Sequence, residues 1–245
     1  VHINGFISND ILKIKKLCKK NKIYLIEDAA HTPGASYNGK KAGEFGDAAC
    51  FSFYPTKIIT TGEGGMLVTN NKKIFNKALL LSNSGRPTNR MKDFRAIVPG
   101  IKFKMTNIQA ALGISQLKRF NSIIRKKIKI FNKYKTKLNK KFVTMNHKHK
   151  GDVNSYWMPT LVFDKSLNIN KKYVLKKLSS YNIDGRPFFD PISSLTFFKK
   201  ANNPVSYDIS KRAINLPSFL TIKDREIKKI TKIINDIIIS KNVKK

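Results

Sequence analysis

Two periodicities of hydrophobic positions run along the chain. Ile11, Ile14, Leu17 and Cys18 recur at helical spacing behind Ser8-Asn9-Asp10, a trio suited to capping a helix. Ile23-Tyr24-Leu25-Ile26 is then a short apolar run that ends on Glu27-Asp28 and reads as a strand. Residues 48–54 and 66–69 read as two more strands, separated by the glycine-rich turn Thr60-Thr61-Gly62-Glu63-Gly64-Gly65. Residues 73–81 read as a helix. Helices alternating with strands that are apolar on both faces predict a parallel sheet covered by helices.

The second half follows a different pattern. Thr106 opens one long predicted helix, with small residues early (IQAALGISQL) and lysines later. Residues 157–163 read as a strand, and Asn168 or Asn170 caps a helix carrying Val174, Leu175 and Leu178. Residues 183–189 are extended and contain Pro187. Thr221 with Asp224 forms a weak variant of the capping box, before a last helix with Ile227, Ile230, Ile234, Ile237 and Ile238 on one side. There is no internal repeat. The expected division lies near residue 120, with an α/β domain over 1–120 and a smaller α+β domain over 121–245. The chain has no initiator Met and opens on VHINGFISND, which reads as a strand, so a fragment is expected.

Composition narrows the class. A length of 245 residues with 41% hydrophobic content suits a globular protein of one large or two modest domains. No apolar run is long enough to span a bilayer, and residues 1–10 lack the pattern of a signal peptide. Cys18 and Cys50 sit in no metal or redox spacing and read as reduced, buried thiols of a cytoplasmic protein. His147 and His149 lie in a basic run without carboxylate or thiol, so no metal site is expected. The net charge is +34, and no acidic residue occurs between Arg95 and Gly151. That stretch carries no nucleic-acid motif, so it reads as a solvated helix face, with attraction of phosphates as the lesser alternative.

The chemistry concentrates in residues 26–69, IEDAAHTPGASYNGKKAGEFGDAACFSFYPTKIITTGEGGMLVT. An acid, Asp28, lies at the C-terminal end of a predicted strand, where open α/β sheets bind ligands. A second strand ends with Ser52, and Lys57 follows five residues later, before the glycine-rich turn. A lysine near few acids loses its proton more easily and can attack an aldehyde. A carboxylate can keep a pyridine nitrogen protonated, and hydroxyl and backbone N–H groups suit a phosphate. Each residue also has an ordinary reading: a turn-capping Asp, a solvent-exposed Lys, an incidental Ser.

The segments EDAAH, FGD, CFSFYPTK, TGEGGM, MTNIQAALG, SYWM, GRPFF and INLPS resemble the DegT/DnrJ/EryC1/StrS family of sugar aminotransferases, nearest its perosamine synthase-like branch. The resemblance implies a fold-type I pyridoxal 5′-phosphate (PLP) enzyme of the aspartate aminotransferase type. Residues 1–120 would be the C-terminal part of the large PLP-binding domain. It further implies that Lys57 forms the Schiff base and shuttles the proton, that Asp28 partners the pyridine nitrogen, and that His31 lies beside the ring. Ser52 would bind the phosphate, and Lys102 would contact it from the partner subunit of a homodimer. Glu63 would brace the glycine-rich turn or face the substrate. Arg186 would be on the substrate side, with packing on Phe188 as the alternative.

The implied reaction moves an amino group from L-glutamate to a nucleotide-linked keto-deoxysugar, giving a 4-amino-4,6-dideoxysugar for cell-surface polysaccharide. Lysine rather than histidine at position 57 favours transamination over dehydration. The alternative is a truncated, inactive homologue that acts as an assembly partner.

Three departures from the family pattern stand out. The resemblance places Val1 well inside the large domain, so the family's N-terminal segment, with a Gly-Thr/Ser helix start for the phosphate and an aromatic ring that stacks on the pyridine, is expected to be missing here. Lys102 stands where the family often has Asn, and Ser84-Gly85 where it often has His-Gly.

Overall fold

In the computed structural model, the described residues are 1–88 and 94–242. They fall into two compact units, one of residues 1–124 with 149–155, the other of 125–148 with 156–242.

The first unit opens on a tight turn rather than a strand. Asn4 and Gly5 take positive φ, and Ile3 bridges Phe6. Helix α1 (Ile11–Lys20) follows Asp10, whose side chain makes no cap hydrogen bond. Strand β1 (Ile26–Asp28) leads to a hairpin, β2 (Ser36–Tyr37) and β3 (Lys40–Lys41). Asn38-Gly39 turns it with both φ values positive, the Asn-Gly signal of a two-residue hairpin. Then come β4 (Ala48–Ser52), β5 (Gly65–Val68) and α2 (Lys72–Ser82), the last capped by the Asn71 side chain.

The sheet order is β1-β4-β5. Strands β1 and β4 are parallel, with Asp28 opposite Cys50, but β5 runs antiparallel to β4. The expected all-parallel sheet is therefore mixed. The strands are also less covered than the apolar pattern predicts: Ile23, Tyr24, Ile26, Met66 and Leu67 are exposed. On α1 only Ile11 is buried, and Cys18 is half-buried. Cys50 is exposed, so the expectation of two buried thiols fails. It lies at an outward position of β4 in a sheet whose apolar faces are only partly covered. The core here is small, built from Ile7, Ile11, Ala29, Ala35, Ala42 and Phe45.

The single helix predicted from Thr106 is two: α3 (Asn107–Lys118) and α4 (Phe120–Lys137), broken at Arg119. Thr106 and Gln109 form a complete capping box at the start of α3. The division between units falls inside α4, and the chain later returns to the first unit.

After β6 (Val143–Met145), strand β7 (Asp152–Val153) pairs with β2 of the first unit. The second unit continues with β8 (Thr160–Phe163), α5 (Lys171–Ser179), β9 (Arg186–Pro187), α6 (Pro204–Arg212), β10 (Ala213–Asn215) and α7 (Asp224–Asn242). Asn170 caps α5, while Asn168 takes the left-handed conformation that ends the preceding turn. At α7 the cap is made by Glu226, which accepts from the Lys223 N–H at 2.6 Å, rather than by Thr221 with Asp224.

The order in this sheet is β6-β8-β10-β9, all antiparallel. Its core gathers Leu161, Phe163, Val174, Leu178 and Ile214 with the Ile227, Ile230, Ile234, Ile237 and Ile238 stripe of α7. Among the described residues no helix is long and apolar enough to cross a membrane.

Candidate active site

Parallel pairing puts the C-terminal ends of β1 and β4 side by side. Asp28 ends β1, exposed, with its Oδ1 accepting from the Ala30 N–H at 3.1 Å. Ser52 ends β4, half-buried, and its Oγ accepts from the Tyr54 N–H at 3.3 Å. The chain then forms a loop closed at its base. Phe53 donates to the Gly64 carbonyl at 2.8 Å, and its own carbonyl accepts from the Thr61 N–H and the Thr60 hydroxyl. Lys57 sits in a turn within this loop, its N–H on the Tyr54 carbonyl at 2.9 Å.

Electrostatics ties three of the predicted residues together. Burial lowers the pKa of the Lys57 ammonium, and the nearby Asp28 carboxylate opposes that shift. His31 is lowered to about 4, by burial first and by the Lys57 charge second, against the Asp28 carboxylate, which raises it. His31 is thus a neutral imidazole at neutral pH, beside an amine that sheds its proton more readily than a free lysine. Such a set suits an aldehyde-bearing aromatic cofactor. The amine can condense, the carboxylate can hold a ring-nitrogen proton, and the neutral imidazole can hydrogen-bond without adding charge.

Glu63 and Lys102, both exposed, line a cavity of about 1270 Å³ with Met66, Phe75, Ile101 and Phe103. The backbone of Lys102 bridges Asn83, and the Ser84 N–H donates to Ile101. Arg186 belongs to the second unit, where it pairs with Asp184 at 2.8 Å.

One residue the sequence reading left without a role is Gln109. Its Nε2 donates to the Glu63 carbonyl at 2.8 Å, and the Thr61 hydroxyl donates to the same oxygen at 2.7 Å. The start of α3 therefore holds the glycine-rich turn. The Thr-x-x-Gln capping spacing was visible in the sequence; the reach across 46 residues was not.

The chain has the α/β fold of PLP-dependent sugar aminotransferases. It superposes on Helicobacter pylori PseC, an aminotransferase involved in the biosynthesis of pseudoaminic acid, with a TM-score of 0.89 and 26% identity, over 97% of this chain and 65% of that one. The sequence profile of the DegT/DnrJ/EryC1/StrS aminotransferase family matches residues 1–235, and the chain belongs to this family. Its members are PLP-dependent.

Among curated relatives it is similar to the GDP-perosamine synthase of Vibrio cholerae, 36% identical over 234 residues. It is also similar to a UDP-4-amino-4,6-dideoxy-N-acetyl-beta-L-altrosamine transaminase of Campylobacter jejuni, 34% identical over 198 residues. These matches take in 94% and 80% of this chain. The chain spans 63% of the first relative's length and 52% of the second's.

Proposed function

We propose that the first unit carries the lysine side of a PLP site in a sugar aminotransferase, with Lys57, Asp28 and His31 as its reacting groups. The supporting observation is the electrostatic coupling of these three side chains beside the adjoining ends of β1 and β4.

Lys57 would anchor the cofactor and, once released, move the proton between substrate carbon and nitrogen. Asp28 would hold the ring-nitrogen proton, and His31, neutral, would donate or accept a hydrogen bond at the ring. PLP, when bound, supplies an aldehyde for the amine and a ring that withdraws electrons from the reacting carbon. Ser52 would take part of the phosphate. Lys102 would reach the phosphate of a partner subunit, which makes a homodimer part of this reading. Glu63 and Arg186 would face the substrate.

The amino donor would be L-glutamate and the acceptor a nucleotide-linked 4-keto-deoxysugar. The names of the two curated relatives, a perosamine synthase and an altrosamine transaminase, support that class. The compartment would be the cytoplasm.

The test is spectroscopic. The purified chain mixed with PLP should gain a visible band that borohydride bleaches, and Lys57→Ala should lose it while keeping its melting temperature. A band that survives in Lys57→Ala would remove Lys57 from the site. No band in the unmodified chain would favour the inactive assembly partner.

A further inference from the structure

Beside Asp28 lies a buried carboxylate that the proposed chemistry does not use. Glu27 and Asp28 are consecutive in β1, so their side chains leave opposite faces of the strand. Glu27's side chain is fully buried and accepts four hydrogen bonds. Oε1 takes the N–H groups of Phe45 at 2.7 Å and Gly46 at 2.6 Å. Oε2 takes the N–H of Gly43 at 2.9 Å and Nε2 of His2 at 3.0 Å.

His2 is equally buried and holds β1 twice. Its backbone N–H donates to the carbonyl of Asp28 itself, at 2.9 Å. Its Nδ1 faces the Ser8 N–H at 3.4 Å, so the proton of the neutral ring sits on Nε2 and points at Glu27. Gly46 has no room for a side chain: a Cβ there would lie 2.5 Å from the carbonyl of Leu25, two residues before Glu27. The end of β1 is therefore gripped by β4 on one edge, by His2 on the other, and from below by the 43–46 loop through Glu27.

An ionised carboxylate has about four acceptor sites, and burial requires that they be filled. Here four donors from two separate segments, residue 2 and the 43–46 loop, converge on the residue next to Asp28. They fix the backbone from which Asp28 projects.

We propose that Glu27, oriented by His2 and the 43–46 loop, is a positioning residue that holds the Asp28 carboxylate in place against His31 and Lys57. This rests on the reading of Asp28 and Lys57 as cofactor groups only for its catalytic consequence; the positioning itself is a property of the chain without cofactor.

The experiment follows the imidazole of His31 by NMR pH titration in the chain without PLP, comparing the unmodified protein with His2→Ala, His2→Gln and Glu27→Gln. Lys57 and Asp28 are the charged groups acting on that ring, and Asp28 raises its pKa. A loosened Asp28 should therefore lower the His31 midpoint from about 4 by about half a unit or more in His2→Ala and Glu27→Gln. His2→Gln, which keeps a donor towards Glu27, should restore it.

His2→Ala removes one donor of four and leaves Glu27 held by three backbone groups, so it is the variant expected to fold if Glu27→Gln does not. A His31 midpoint unchanged in folded His2→Ala overturns the proposal. A lower melting temperature with no shift in midpoint also overturns it, by reducing the clamp to simple support. If the unmodified chain shows no band with PLP, the functional reading fails while the His31 result still decides the positioning.

Discussion

The two units solve the problem of stability differently. The second buries a stripe of isoleucines from α7 against a four-stranded antiparallel sheet and α5, and most of these side chains are almost fully enclosed. The first has a core cluster of six residues, three of them alanines, and leaves apolar side chains of α1, β1, β5 and α3 exposed. Yet the first holds the coupled Asp28, His31 and Lys57. Its local order comes from polar ties: Glu27 under β1, Phe53 at the base of the lysine loop, and Gln109 on the glycine-rich turn. In this molecule the unit that holds Asp28, His31 and Lys57 is organised by hydrogen bonds and the other by apolar packing.

That contrast breaks most readily on core truncations. Ile234→Ala removes a side chain with no exposure from the centre of the second unit. It should cost about 2–5 kcal/mol, the range for buried Ile or Leu truncated to Ala. Met66→Ala, in β5 of the first unit at 49% exposure, should cost about 0.5 kcal/mol or less. Chemical denaturation of both variants checks this. Equal losses would mean that Met66 is covered in solution and that the first unit is better packed than its exposed faces indicate.

The second unit is not wholly apolar, and Lys127 sharpens the comparison. Its ammonium is buried on α4, hydrogen-bonded to the carbonyl and hydroxyl of Ser218, each at 2.9 Å. Burial lowers its pKa from 10.5 to about 8. Between those values the unfolded chain binds the proton more tightly than the folded one, so stability rises with pH from about 8 to 10.5. The gain is on the order of 3 kcal/mol, from a shift of about 2.5 units at roughly 1.4 kcal/mol each. Lys127→Met should flatten that slope relative to the unmodified chain. Parallel pH-stability curves for the two proteins would show that water reaches the amine.

Much of this arrangement was legible in the sequence, and what was not has physical causes. The isoleucine stripe of α7 follows from spacing alone, because one helix face packs on one sheet. The cluster at the ends of β1 and β4 follows from the order of Asp28, Ser52 and Lys57, since parallel strands end on the same side. The antiparallel β5 was not legible: a short apolar run carries no direction. The break at Arg119 was hidden because neither Gly nor Pro marks it. The fourfold grip on Glu27 joins residues 2, 27 and 43–46, and contacts between such distant positions leave no periodic trace.

The smallest effect concerns Gln109, whose side chain serves two ends at once. Its Oε1 accepts from the Thr106 N–H at 2.9 Å to complete the capping box, while Nε2 holds the Glu63 carbonyl. Thr106→Ala removes only the hydroxyl half of the cap, worth about 1 kcal/mol. Gln109→Ala removes the other half and the tie to the glycine-rich turn, so it should cost about 1 kcal/mol more than Thr106→Ala. It should also speed amide exchange at Gly62 and Gly64, which Thr106→Ala should leave unchanged. If the two variants lose equal stability and exchange alike, the turn is held by Thr61 and the Phe53 pairing alone. The claim that polar ties order the first unit would then shrink to Glu27 and the base of the lysine loop.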